Sequence, residues 1–195
     1  MAFLDPVTLQ GERVVLEPMT LEVVDELAAA VRDGELWRLW YAAVPAPDQM
    51  RAAVEDLLAK QSAGAVLPFV QRRRDTGEVV GQTTYLNADR PNRRLEIGST
   101  WLARSTQGTG INAEAKYLLL GNAFEAWDCI AVELRTHWMN EQSRAAIARL
   151  GAKQDGVLRS HRIMPDGSLR DTVVFSVLQH EWPAVRNGLL ARLSR

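Results

Sequence analysis

The spacing of apolar residues along the chain switches between the period of a helix and that of a strand. The first third of the chain predicts a short strand at 13–17. Three helical segments follow, at 20–32, at 36–41 and from residue 48 onward. Thr20 is the expected N-cap of the first helix. Pro45 and Pro47 should separate the second helical segment from the third, because proline interrupts a helix.

The middle of the chain has the alternation of a strand meander. Strands are predicted at 67–72, 78–86 and 94–102. An Asp75-Thr76-Gly77 turn joins the first two strands, and a polar loop at 87–93 joins the second to the third. Three consecutive strands with short connections are most simply antiparallel.

The last part of the chain predicts a helix, a strand, a helix, a hairpin and a final helix. The helices are expected at 112–127, 140–150 and 183–193. The strand is expected at 130–136, and the two strands of the hairpin at 152–163 and 169–178. The whole order, β-α-α-α-β-β-β-α-β-α-β-β-α, predicts a mixed α/β fold with a mostly antiparallel central sheet. The predicted fold also has one parallel strand pair, joined through the helix at 112–127, and helices that flank the sheet.

Composition and charge narrow the classes of function. The 195 residues, 47% of them hydrophobic, fit a single domain over residues 1–195. The formal charge of -1 does not favour nucleic acid or an anionic membrane as a partner. Cys129 is the single cysteine and the three histidines lack metal-ligand spacing, so neither a disulfide nor a metal site is expected. No signal peptide or long apolar run is evident, so a cytoplasmic location is expected.

The segment from Gln107 to Asn112 carries the most information about function. A strand, a glycine turn and a helix in succession favour a phosphate site, because free backbone N–H groups and the helix dipole attract anions. Three interpretations compete: a turn without a ligand, a dinucleotide fingerprint at 108–113, and a pyrophosphate loop with the spacing Gln-x-x-Gly-x-Asn. Its position after an antiparallel meander disfavours the dinucleotide fold, which begins with a parallel βαβ unit.

The third pattern resembles the pyrophosphate loop of the GNAT superfamily of N-acetyltransferases, usually written R/Q-x-x-G-x-G/A. A second motif, Asn140-Glu141-Gln142-Ser143, and the element order over nearly the whole chain are also similar to that superfamily. Asn112 departs from the final small residue of the loop, and Ile147 stands where many members carry a tyrosine acid. Ser143 without that tyrosine, the opening at 9–16 and the strand around Glu96 resemble the ribosomal-protein-alanine, or Rim-type, branch.

The resemblance implies acetyl-CoA as co-substrate, transfer of its acetyl group directly to a primary amine, and no metal. The amine would belong to a protein N-terminus or a small molecule. The residues implied in binding acetyl-CoA are Gln107, Gly108, Thr109, Gly110, Ile111 and Asn112 of the loop, with Trp101, Leu102 and Asn140 along the pantetheine arm. A backbone N–H near Leu102 would polarise the thioester carbonyl.

The same resemblance suggests the residues that act on the acceptor. Glu96 is the candidate general base, or else a structural carboxylate. Ser143 would donate a hydrogen bond to the leaving thiolate, or is a small buried polar residue. Trp37, Trp40 and Tyr41 would form an aromatic wall at the acceptor site, or belong in part to the core. A CoA-binding sensor domain without catalysis is the alternative function, and a homodimer through the helix at 182–193 is a further expectation.

Overall fold

The computed structural model describes residues 3–194, which form an eight-stranded sheet with helices on both faces. The strands are β1 (Leu9–Gln10), β2 (Val14–Pro18), β3 (Leu67–Arg73), β4 (Val79–Asp89), β5 (Arg94–Leu102), β6 (Ala131–His137), β7 (Lys153–Ile163) and β8 (Leu169–Leu178). Their spatial order is β1-β2-β3-β4-β5-β6-β8-β7. Only the β5–β6 pair within the described residues is parallel, so the predicted fold class is confirmed.

Five helices accompany the sheet. They are α1 (Val24–Arg32), α2 (Met50–Ser62), α3 (Ile111–Gly121), α4 (Glu141–Ala148) and α5 (Trp182–Leu193). A π-helical turn, Asn122–Ala126, extends α3. The Tyr85 hydroxyl donates to the Leu119 carbonyl (2.6 Å) just before that turn, and such a side-chain insertion is a common cause of an irregular helix. No helix in the described part of the chain is long and apolar enough to cross a membrane.

Two apolar cores lie on opposite faces of the sheet. Neighbouring strand residues alternate between them, because successive side chains of a strand point to opposite faces. Phe69 and Leu102 face the larger core with α3 and α5, whereas Val70 and Trp101 face the smaller core with α1 and α2. The two helix layers therefore approach the central strands from opposite sides.

Several local predictions were wrong. The segment predicted as a helix at 36–41 contains only a 3-10 turn, Leu36–Arg38, and Thr20 makes no capping hydrogen bond through its side chain. The predicted loop at 87–93 is partly strand, because Asn87 adopts a positive φ of 51° at a bulge and pairing resumes at Asp89 with Arg94. The third helix begins at Met50 after a 3-10 turn rather than at Asp48.

Candidate functional site

The central strands diverge to open a cleft. β5 and β6 pair only over 94–96 with 131–133, after which β5 stays with β4 and β6 stays with β8. A bulge in β5 at Ser99, whose φ is +47°, accompanies the divergence. The cleft has a volume of about 1,060 Å³ and is lined by residues from both faces of the sheet. Candidate binding and catalytic residues are therefore gathered where the backbone of β5 leaves its parallel neighbour.

The glycine turn closes one end of the cleft. Gly108 and Gly110 have φ of +81° and +92°, a region that glycine enters without strain. The first-turn amides of α3, at 111–113, have no acceptor inside the helix and are available to an anion. Gln107 fixes the turn, since its Nε2 donates to the Leu102 carbonyl (3.0 Å) and its Oε1 accepts from Gln142 (3.1 Å). These contacts agree with a preformed anion cradle.

One basic side chain lies beside this cradle and others line the cleft, and the sequence prediction omitted them. Arg13 lies beside the turn, because a Cβ built on Gly110 would be 3.4 Å from its side chain. Lys60, Arg149 and Arg192 also line the cleft. Arg13 lies in the opening segment at 9–16, which had entered the sequence prediction only through its resemblance to the Rim-type branch.

The free edge of β5 offers backbone groups to the cleft. The Ala103 N–H donates to the Val80 carbonyl of β4 (2.8 Å). Because successive backbone groups of a strand point to opposite sides, the Leu102 N–H points away from β4, toward the cleft. Trp101 and Leu102 both line the cleft, as predicted binding residues should.

The start of α4 forms the opposite wall. Asn140 is the N-cap, and its Oδ1 accepts from the Ser143 N–H at 2.9 Å. This capping bond engages the Asn140 oxygen, and Asn140 also lines the cleft. Ser143 is half-buried and lines the cleft one turn into the helix.

Glu96 is buried and lines the cleft at the end of the paired segment of β5. Its Oε2 accepts from Asn87 Nδ2 (2.7 Å) and lies 3.4 Å from Arg135 Nε. Its Oε1 is turned toward Gly98, where an added Cβ would stand only 3.0 Å away. Burial raises the pKa of Glu96, against the opposing effects of Asn87 and Arg135. A carboxylate with one oxygen held and a raised pKa is suited to accept a proton.

The three predicted aromatic residues do not form one continuous wall of the cleft, because only the rings of Trp40 and Tyr41 are in contact. Tyr41 lines the cleft, and Trp40 is exposed and packs edge-on against both Tyr41 and His137. Trp37 packs against the smaller core instead. His137 lines the cleft, and Trp40 lies next to the cleft because it packs against the His137 ring.

Two further polar residues of α3 lie along the cleft, and both are unusual. Lys116 is buried, and its Nζ donates to Thr100 Oγ1 (2.8 Å) and Thr83 Oγ1 (3.1 Å). Asn112, four residues earlier, has a buried Oδ1 without a hydrogen-bond partner among residues 3–194. Lys116 was not predicted, because a lysine in an otherwise apolar helix gives no sequence signal of its burial. The structure shows no metal-binding group of His, Cys, Asp or Glu within its described part.

Comparisons with known proteins agree with this geometry. The family described as an acetyltransferase (GNAT) domain matches residues 13–153. A crystal structure of a provisionally assigned acetyltransferase from T. thermophilus is 36% identical, with a TM-score of 0.86, covering 99% of each chain. Mycobacterium smegmatis RimJ in complex with CoA-disulfide is 25% identical, with a TM-score of 0.81, covering 96% of this chain and 95% of that chain.

Among sequence relatives, the Bacillus subtilis (strain 168) protein provisionally named ribosomal N-acetyltransferase YdaF is 34% identical over 106 residues. That alignment covers 54% of this chain and 57% of the relative, a little over half of each. These likenesses confirm the resemblance to the Rim-type proteins that Ser143, the opening at 9–16 and the strand around Glu96 had indicated. The family match covers most of the chain, and the chain therefore belongs to the GNAT family of acetyltransferases.

Proposed function

We propose that this protein transfers the acetyl group of acetyl-CoA directly to a primary amine. The divergence of β5 from β6, ending at the glycine turn of α3, is the observation that carries the proposal. It combines an open backbone edge with an anion cradle in one cleft, and acetyl-CoA needs both, for its pantetheine amides and for its phosphates. The likeness to RimJ, whose structure contains CoA-disulfide, supports the same cleft as the binding site.

The residues of the cleft fit acetyl-CoA in detail. The amides at 111–113, with Arg13 beside them, would hold the pyrophosphate. The edge of β5 at Leu102 and the side-chain NH₂ of Asn140 would hold the pantetheine arm. The buried, unpartnered Oδ1 of Asn112 offers an acceptor in a wall otherwise rich in donors.

Acetyl-CoA supplies the activated thioester, and the side chains of the cleft supply proton transfer and charge stabilisation. Glu96 would take the proton of the acceptor ammonium, directly or through a water, because its raised pKa makes it a better base. The Leu102 N–H would stabilise negative charge on the carbonyl oxygen. Ser143 would donate a hydrogen bond to the departing sulfur. Tyr41 and Trp40 would pack against the acceptor, and the names of the Rim-type relatives favour a protein N-terminus as that acceptor.

Calorimetric titration with acetyl-CoA and a free-thiol release assay over N-terminal peptides and small amines test the proposal. Binding together with acceptor-dependent thiol release is the expected result. Binding without release for any acceptor would favour the non-catalytic sensor, and no binding would overturn both functions.

A glycine pair supplies the matched variants. Gly108→Asp puts a carboxylate into the anion cradle, and Gly77→Asp puts the same side chain into the distant turn between β3 and β4. Both glycines have positive φ, +81° and +75°, and both have open space at the Cβ position. The change at Gly108 should abolish acetyl-CoA binding in a folded protein, whereas the change at Gly77 should leave the affinity unaltered. Equal affinities for the two variants would contradict the assignment of the cradle.

A further inference from the structure

Two arginines stand directly opposite each other at the acceptor end of the cleft. Arg162 of β7 and Arg170 of β8 are cross-strand partners, and both line the cleft. Like charges in directly opposed positions of a sheet destabilise it. The sequence nevertheless has a positive pair where a neutral pair would be more stable.

No acidic side chain of the described residues forms an ion pair with either arginine, although Glu96 is near enough to attract both. Within residues 3–194 neither Arg162 nor Arg170 forms an ion pair, although thirteen other ion pairs are present. Arg170 is half-buried and is fixed by a hydrogen bond from its Nε to Thr172 Oγ1 (3.0 Å). Burial of its guanidinium and repulsion from Arg162 lower the pKa of Arg170, and attraction to Glu96 offsets these effects only in part. A partly buried cation without an ion-pair partner is costly unless a bound anion offsets it.

The surroundings of the pair are also basic. Arg135 and His161 line the same part of the cleft, and His161 is positioned by a contact of its Nδ1 with Thr172 Oγ1 (3.1 Å). Arg135 forms ion pairs with both Glu133 and Glu96, and Glu133 also forms an ion pair with Arg94. The negative charges of Glu96 and Glu133 are equal in number to the positive charges of Arg94 and Arg135. Arg162 and Arg170 therefore leave an excess of positive charge beside Glu96.

A local irregularity of β7 brings this cluster to the cleft. Between Leu158 and Arg162, β7 has four steps where β8 has two, and Ser160 adopts a φ of +48°. Asp171 stabilises this bulge by accepting from the Ser160 N–H (2.7 Å) and pairing with Arg159. The bulge sets the register that aligns Arg162 with Arg170. Bulges of this kind often aim side chains into a site.

We propose that Arg162 and Arg170 bind an anionic oxygen group of the acceptor, a carboxylate or a phosphate, while its amine lies at Glu96. The inference rests on the proposed acetyl transfer and adds the class of acceptor: an amine that carries an oxyanion. A guanidinium pair suits such a group, since arginine forms bidentate hydrogen bonds with carboxylate and phosphate. The same charges repel polyamines and other polycationic acceptors.

Three pairs of acceptors test the proposal and separate the sources of the anion. They are Ala-Glu-amide with Ala-Gln-amide, alanine with alaninamide, and O-phosphoethanolamine with ethanolamine. The members of each pair differ in one anionic group. Steady-state thiol release should show a larger kcat/KM for the anionic member of at least one pair.

Single substitutions assign the effect to the arginines. In Arg170→Gln and in Arg162→Gln, kcat/KM for the preferred anionic acceptor should fall about 10- to 100-fold, as expected for loss of a charged hydrogen bond. The kcat/KM for the neutral member should change far less, reflecting only the effect of the arginine charge on the pKa of Glu96, and the KM for acetyl-CoA should be unchanged. Arg186→Gln is the matched control, because it removes one exposed arginine, paired with Glu125, at a position outside the cleft and away from the bulge. Arg162 is exposed, so its variant tests the proposal even if replacement of Arg170 harms folding.

A binding measurement separates this inference from the proposed function. The N-acetylated forms of the same six compounds can be titrated calorimetrically into the protein saturated with CoA. Tighter binding of the anionic forms, lost in Arg162→Gln, supports the anion site even if no acceptor is turned over. Equal binding and equal kcat/KM within every pair, or equal effects of the Arg162 and Arg186 variants, would overturn it.

Discussion

Glu96 is both buried and directed at the cleft, and these two properties determine its expected pH dependence. Burial raises the pKa of its carboxyl above the ordinary value of 4.5, so the base becomes active at a higher pH than an exposed glutamate would. A base works when ionised, so kcat/KM should rise with pH as Glu96 loses its proton. Glu96→Gln should lower kcat by about 100- to 10,000-fold and remove this limb of the profile.

Glu133→Gln is the control for Glu96. Glu133 belongs to the same network with Arg135 but does not line the cleft. Its variant should keep the acidic limb, moved slightly to lower pH, because the charge of Glu133 contributes to the raised pKa of Glu96. If Glu96→Gln retained the acidic limb, the titrating base would be another group.

Lys116 offers a second test at a single side chain, read out in stability. Burial lowers the pKa of its ammonium to about 7, whereas an unfolded lysine titrates near 10.5. Between these values the unfolded chain holds one more proton, so this residue makes stability rise with pH, and its penalty is fully present below about pH 7. Lys116→Met should therefore reduce the gain in the free energy of unfolding between pH 7 and pH 10.

Urea denaturation at several pH values measures that gain. Lys153→Met is the reference variant, because Lys153 is exposed and lies on the distant strand β7. The Lys153 variant should retain the pH dependence of the parent. An unchanged slope in Lys116→Met would show that the amine titrates in the folded protein as it does in the unfolded chain.

The contact between β2 and α3 links the first strands to the anion cradle. The buried Glu114 carboxylate accepts from the backbone N–H groups of Glu12 (3.0 Å), Arg13 (2.7 Å) and Val14 (2.8 Å). Gly11 is required beside it, since an added Cβ would lie 2.3 Å from Glu114 Oε2. Glu114→Gln would set an NH₂ group against backbone donors and should lower the free energy of unfolding by about 2 to 4 kcal/mol.

Denaturant titration of Glu114→Gln checks this value, with Glu55→Gln on the exposed face of α2 as the control. Gly11→Ala should also destabilise, because the methyl group displaces the same carboxylate. The Arg13 N–H makes one of these contacts, so both changes should displace Arg13 and weaken acetyl-CoA binding as well. A Glu114 variant as stable as the Glu55 variant would show that the three bonds contribute nothing net.

The elements differ in how far the sequence could predict them. Alternation and turn residues predicted the meander, and the glycine turn predicted the loop of α3, because both depend on local chemistry. The short strand β1 and the place of β8 between β6 and β7 depend on pairing with distant segments. The opposition of Arg162 to Arg170 depends on the bulge at Ser160, which no local pattern indicated. The glycine turn at one end of the cleft was therefore predictable from the sequence, and the opposed arginines were not.

The charges of the whole protein nearly cancel, yet the cleft is strongly basic. The formal charge is -1, while Arg13, Lys60, Arg149 and Arg192 line the cleft around the cradle. Local charge rather than net charge should then govern attraction of a polyphosphate ligand. Salt reveals this, because between about 0.1 M and about 1 M NaCl the Debye length falls from about 10 Å to about 3 Å.

We expect the dissociation constant for acetyl-CoA to rise several-fold over that range, despite the negative overall charge. Arg13→Gln should weaken binding at low salt and flatten the salt dependence, because it removes the cation beside Gly110. Arg38→Gln is the control, since Arg38 is exposed, pairs with Glu35 and lies outside the cleft. Calorimetry at four salt concentrations measures each slope. Parallel slopes for the two variants would mean that Arg13 stabilises the fold and does not contribute to attraction of the phosphates.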